Sequence, residues 1–347
     1  MTEESPRLGE FDYAGDDHVV PFHVEALDAR GRAVQLGPLL DTIMARHDYP
    51  EPVARLLAEA VTLTVLIGTS LKFDGKFIVQ TQGDGPVDLM VADFTTPDSV
   101  RAYARFDEEA LAQAVAANRL EPHELIGRGT LAFTIDQGAH MQRYQGIVEL
   151  NGASLEEIAD AYFRQSEQIP TKVRLSVAQL YERDREGTTR HHWRAGGVIA
   201  QFLPEAPERL RQRDLPGGDA PEDFEHAEPE HDDAWAEAAA MVASVDPDEL
   251  TDPQVGSERL LFRLFHERGV RVFEPAPVFD RCSCSRDKIK AVLENFSAEE
   301  VAESLEDGEI AVTCEFCSTR YAFSPEELEF GEAEAAPRTH SGNGRSH

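Results

Sequence analysis

RCSCSRDK at residues 281–288 and TCEFCSTRY at residues 313–321 hold all four cysteines of this 347-residue chain. The pattern is C-x-C (Cys282, Cys284), then 29 residues, then C-x-x-C (Cys314, Cys317). Two close pairs of thiols match the tetrahedral, all-sulfur coordination that structural zinc prefers, with one Zn2+ per chain. Free thiols and two structural disulfides are the alternatives. His191, His192 and His266 are further candidate ligands, although a lone histidine is more often an ordinary surface or core residue.

A zinc ion held this way could serve three ends. It could staple a small ribbon and do nothing else. It could be catalytic, but four sulfurs fill the tetrahedron and leave no position for water. Or it could be a redox switch. A free thiol with a pKa near ~8.5 is mostly protonated at neutral pH, whereas metal-bound sulfur is thiolate, the form that attacks peroxide. Oxidation through sulfenic acid to a disulfide destroys the ligand. C-x-x-C is well spaced for a local disulfide; C-x-C makes a tighter ring and should close less readily. A module of about fifty residues rarely folds without a staple, so losing the metal should unfold it.

Composition narrows the classes. The 65 Asp+Glu against 33 Lys+Arg give a net charge of −32, which argues against nucleic acid and against anionic membranes as partners. No apolar run of about 18 residues lacks charge, so a membrane span is not expected. The acidic MTEESPRLGEFD start has no apolar core and does not read as a secretory signal.

Upstream, the pattern predicts an α+β domain over residues 1–203, loose at residues 1–18. Residues 19–36 read as a hairpin around DARGR, and 38–47 as a short helix. Residues 52–70 read as a helix apolar on nearly every side, hence buried, with a dimer contact as a lesser alternative. Strands are expected at 76–82, 87–93, 99–105, 130–136, 142–150 and 172–181. QGDGP is a turn between them. Helices are expected at 107–118 and, from the capping box of Ser154 and Glu157, at 154–168. Gly196-Gly197 reads as a close packing point for backbone and not a phosphate loop.

Residues 204–277 form an acidic, conditionally folded linker. Between Asp214 and Glu258 there are fifteen acidic residues and no Lys or Arg. Two docking helices are expected in it, at 235–245 and 257–268, the second with Leu260, Leu261, Leu264 and Phe265 on one face. Residues 278–330 are the four-cysteine module, with a helix at 285–295, and 331–347 a disordered tail.

These residues resemble the redox-regulated 33 kDa chaperonin family. The resemblance rests on the C-x-C and C-x-x-C pair, the preceding FHERGVRVFEP, and four upstream blocks: LKFDGKFIVQTQGDGPVDLMVAD, YQGIVELNG, YFRQSEQIPT and AGGVIAQFLPE. It covers almost the whole chain. It implies a cytoplasmic, ATP-independent holdase, not an enzyme, with Cys282, Cys284, Cys314 and Cys317 as zinc ligands in an inactive reduced form. It also implies oxidation to Cys282–Cys284 and Cys314–Cys317 disulfides, zinc release, linker unfolding and homodimerisation. Unfolding clients would then be bound and later passed to ATP-dependent chaperones. Three departures stand out: Ser318 where the family has Gly, a longer and more acidic linker, and the tail. A constitutive zinc-ribbon adaptor and a disulfide oxidoreductase compete with this reading. Such a reductase usually carries C-x-x-C at a helix start, whereas here a knuckle between two short strands is expected.

Overall fold

The computed structural model describes residues 15–72, 74–138, 143–183, 188–203, 233–297, 300, 303, 305–306 and 308–328. Expectations for residues 1–14, for linker residues 204–232 and for the 331–347 tail lie outside the described residues. The chain divides into two compact units, Met1–Cys282 and Ser283–His347.

The first unit is α+β, built on two sheets. In one, β1 (His18–Val24), β2 (Ala29–Leu36), β9 (Thr189–Phe202) and β8 (Thr171–Arg183) lie side by side, all antiparallel. In the other the order is β5 (Ser99–Arg105), β4 (Leu89–Thr95), β3 (Lys76–Gly83), β6 (Gly129–Asp136), β7 (Tyr144–Leu150), again antiparallel. The remaining strands are short. β10 (Arg271–Val272) and β11 (Ala276–Pro277) pair with β1, and β12 (Phe279–Asp280) pairs parallel with β5.

Between the sheets runs α2 (Glu51–Gly68), packed on β3, β4 and β5 of one and on β8 and β9 of the other. Its sequence is apolar all round because both flanks are protein; from Val53 to Gly68 only Arg55 and Glu59 are not buried. The hydroxyls of Thr62 and Thr64 turn back to the carbonyls of Ala58 and Ala60 and so need no outside partner.

The first sheet is covered on its other face too. Val19, Val34 and Ile199 join the core around α2. Their neighbours Val20, Ala33 and Val198 join a second core with Phe22, Val24 and Ala200. Strand residues alternate between faces, so apolar doublets such as Val19-Val20 and Val198-Ile199 are what a sheet buried on both sides requires. The second cover is the linker itself. Its described part includes α6 (Asp233–Ala243), α7 (Pro247–Thr251) and α8 (Ser257–Phe265), which bring Ala238, Val242, Leu250, Leu260, Leu261 and Phe265 onto that face.

The helices α1 (Pro38–Met44) and α3 (Glu108–Ala116) lie where the pattern put them. Asp107 caps the second by accepting from Ala110 N at 2.8 Å. α4 (Pro122–Ile126) was not foreseen. The helix expected over 154–168 is regular only as α5 (Leu155–Tyr162), then widens into a π turn over Phe163–Glu167 and ends at Gln168 with φ +56°.

Glu59, half-buried on α2, is partly desolvated by the protein around it. Burial, reinforced by the negative charge of Glu156 and only partly offset by Arg55, pushes its pKa up to about 7. The folded chain therefore holds a proton that the unfolded chain releases near 4.5. That contribution to stability is complete below about pH 4.5 and is lost as pH rises towards 7. Glu59→Gln is expected to stabilise the protein at pH 8 by about 1–3 kcal/mol and to flatten this part of the pH profile. Denaturant titrations from pH 4 to 8 would refute the assignment if the gain were the same throughout.

Candidate metal centre

The second unit has little to hold it. Its sheet is β13 (Leu305–Glu306), β14 (Glu309–Thr313) and β15 (Arg320–Phe323), antiparallel. Its buried core is Ile310, Phe323 and Leu328, with Ile289, Leu293 and Tyr321 packed partly against it. The helix α9 (Arg286–Leu293) buries no residue fully. Ser285 starts it by accepting from Lys288 N at 3.3 Å, so the helix begins directly after Cys284.

Cys314 leaves β14 into a tight knuckle. Its carbonyl accepts from Ser318 N at 2.8 Å, and its own N–H donates to Thr319 O at 3.0 Å before the chain enters β15. Ser318 takes φ +54°, the left-handed conformation that glycine adopts without cost. The turn is thus kept despite the serine.

Cys282 follows β12 and is held from the first unit. Arg281 N donates to Val100 O at 3.1 Å, and Arg46 pairs with Asp280. The Arg101 guanidinium reaches Cys282 Sγ at 3.6 Å while pairing with Asp93 at 2.6 Å. Burial opposes the charge on Arg101, but Asp93 and Cys282 together outweigh it and raise the pKa.

The sulfurs of Cys282, Cys284, Cys314 and Cys317 all lie within 4.8 Å of one another. None of the four forms a disulfide; Cys314 is buried and the others half-buried. Cys284 and Cys317 are 3.4 Å apart, near the ~3.8 Å between sulfurs bound tetrahedrally at about 2.3 Å to one zinc ion. The donor set therefore fits a four-thiolate metal. The histidines considered as ligands are not in this cluster. His192 Nδ1 is 2.7 Å from Asp41, His266 Nδ1 is 3.3 Å from Arg263 O, and His191 packs on Tyr181. No other cluster of three or more potential ligands occurs among the described residues.

Hydrogen bonds surround the sulfurs. Burial opposes ionisation of Cys317, but the hydroxyl and amide of Thr319, with Cys284 and Cys314 alongside, bring its pKa down to about 6. The Tyr321 hydroxyl sits 3.1 Å from Cys284 Sγ, and that contact is the main reason its own pKa is pushed up to about 12. Groups of this kind orient ligands and tune a metal site. Sequence reading missed both Arg101 and Tyr321. Arg101 becomes legible only when β4 and β5 are set in register, which places it opposite Asp93.

Residues 17–324 match the family model described as "Hsp33 protein". The chain belongs to the Hsp33 family. Curated Hsp33-type relatives include a 33 kDa chaperonin of Caulobacter vibrioides, 44% identical over 328 residues, covering 94% of this chain and 99% of that one. The 33 kDa chaperonin of Photorhabdus laumondii is 34% identical over 325 residues, covering 93% and 99%. Among solved structures, the Thermotoga maritima 33 kDa chaperonin (an Hsp33 homologue) matches with a TM-score of 0.66 at 22% identity, covering 90% of this chain and 96% of that one. That likeness concerns the fold, and it places the α+β architecture with its clustered C-terminal cysteines among Hsp33 structures. As a member of a chaperone family, the chain has client proteins as its partners. No helix among the described residues is long and apolar enough to cross a membrane.

Proposed function

We propose that this Hsp33-family chain is a redox-regulated, ATP-independent holdase of the cytoplasm, quiescent while reduced and metal-bound. The observation that carries this reading is the convergence of four reduced cysteine sulfurs into one cluster. Cys282, Cys284, Cys314 and Cys317 would hold one zinc ion, which when bound keeps all four sulfurs as thiolates at neutral pH.

Oxidation is written on the residues. A thiolate attacks peroxide, breaks the O–O bond and becomes a sulfenic acid as hydroxide leaves. Its neighbour in the pair then attacks that sulfur and displaces a second hydroxide, forming a disulfide. Each disulfide passes two electrons to one peroxide. With Cys314–Cys317 and Cys282–Cys284 both closed, no thiolate ligand remains. The second unit, whose described core is Ile310, Phe323 and Leu328, then lacks the staple that a module of its size needs. Undocking of the acidic linker would uncover the face formed by Val20, Phe22, Val24 and Val198. That apolar surface suits unfolding clients and pairing of two chains, with later transfer of clients to ATP-dependent chaperones under oxidative and heat stress.

The test joins three measurements on one sample: thiol count, released zinc and suppression of the aggregation of a heat-unfolded client. Peroxide is expected to consume four thiols, release one zinc per chain and switch suppression on, and reductant with zinc should reverse it. Equal suppression by the reduced and the oxidised, metal-free protein would overturn the reading and favour a constitutive adaptor.

A further inference from the structure

The linker covers its sheet through more than apolar contact. Where α7 ends, three successive main-chain carbonyls have no partner inside the helix, as at any helix C-terminus. Each of them meets a donor from the sheet. The amide of Gln35 on β2 donates to Leu250 O and to Asp252 O, both at 3.1 Å. Arg194 on β9 donates through Nε to Thr251 O at 2.7 Å. Both side chains are buried, at 4% and 6% exposure. Arg194 is aimed by Asp16, which takes its other two nitrogens at 2.8 and 2.6 Å.

Gly196 completes the site. It pairs directly with Gln35 across β2 and β9 and lies two residues from Arg194 on the same strand, so all three share one face. A Cβ at Gly196 would stand 1.9 Å from Leu250 O and 2.6 Å from Leu250 C, backbone atoms that cannot swing away. Here the glycine is needed for space, and it explains half of the Gly196-Gly197 pair. At Gly197 the neighbours are side chains of Leu175, Leu66 and Thr62, in the core around α2.

We propose that Gln35, Arg194 and Gly196 form a receptor for main-chain carbonyls whose ligand is the Leu250–Asp252 turn of this same chain. The receptor reads backbone and not side chains: it offers three N–H donors in a row and a bare strand surface for the closest approach. It lies at the polar end of the face whose apolar end is Val198 and Ala200 with Val20 and Phe22. Seating α7 there fixes where α6 and α8 lie over that apolar end. The receptor stands on this geometry alone; only its consequence for chaperone activity rests on the function proposed above.

The test uses the full, reduced, zinc-loaded chain and reads hydrogen exchange of the amides in residues 233–265. Gln35→Leu removes both amide donors at similar volume, and Gln35→Glu turns a carboxylate towards the carbonyls. Exchange is expected to quicken at least tenfold in Gln35→Leu and more in Gln35→Glu, with β3, β4 and β6 unchanged and zinc still at one per chain. Gly196→Ala should act in the same direction by pushing Leu250 away. Because an alanine there could also disturb β9, the two Gln35 variants decide. Unchanged exchange in both overturns the receptor. Faster exchange with no gain in aggregation suppression in reducing buffer leaves the receptor standing and overturns the link between linker release and client binding.

Discussion

Chelating the zinc proposed for the four-cysteine cluster is expected to unfold the second unit of the reduced protein and leave the first folded. The imbalance is large. Among the described residues of the second unit the buried apolar core is Ile310, Phe323 and Leu328, and α9 buries none of its residues fully. Ion pairing of Arg286 with Glu327 lies at the surface and adds little. Binding of zinc by four thiolates is worth roughly 10–16 kcal/mol of apparent free energy at neutral pH, more than a core of this size can supply. The first unit keeps its own extensive core around α2. Backbone amide spectra before and after chelation should lose the dispersed signals of β14, β15 and α9, while those of β3, β4 and β6 persist. Cys317→Ala in the presence of excess zinc should give the same result. Retention of β14–β15 protection in the metal-free reduced chain would show that the cluster does not staple the fold.

Phe265→Ala should release the linker helices without unfolding the sheets. Phe265 is fully buried and stacks on Phe22 with ring centroids 5.5 Å apart. Removing such a ring costs about 3–5 kcal/mol, and partial opening of a structure often needs no more than that. The loss falls on one side of one sheet, in a cluster that α6, α7 and α8 share with β1, β2 and β9. Reducing buffer, limited proteolysis and an apolar dye give the readout. Cleavage should concentrate in 233–265, and dye should bind without oxidant. Phe77→Ala in the other core has a similar cost but should instead lower the melting of the whole first unit. If Phe265→Ala only lowered a single global transition and bound no dye, the linker would be an integral part of that unit's folding and not a detachable cover.

Much of this arrangement is written in local pattern. The apolar run of α2, the turn at Gly83–Pro86 and the capping box at Ser154 announce elements through short-range chemistry, and each lies where the residues placed it. Cysteine spacing announced the cluster because four sulfurs in two close pairs have few other uses. What stayed hidden is decided at long range. β9 is the longest strand among the described residues, yet its Thr189–His192 start is polar and its middle is Gly-Gly, so no alternation marks it. β10, β11 and β12 are two residues each, too short to carry any period. Gln35 and Arg194 look like solvent-facing strand residues until the linker is seen above them. Arg101 reads as one more charge in SVRAYAR until Cys282 is brought beside it.

The short strands have a joint consequence. β10 and β11 cover part of the β1 border of one sheet and β12 the start of the β5 border of the other, and all three belong to a single run, Arg271–Asp280. An open border offers unpaired amides to any extended chain that drifts past, which is why natural sheets guard theirs. One ribbon here guards two, so peeling it from its C-terminal end bares the β5 border first and the β1 border second. Stickiness towards stray strands would then arrive in two instalments, set by how far the peeling has run.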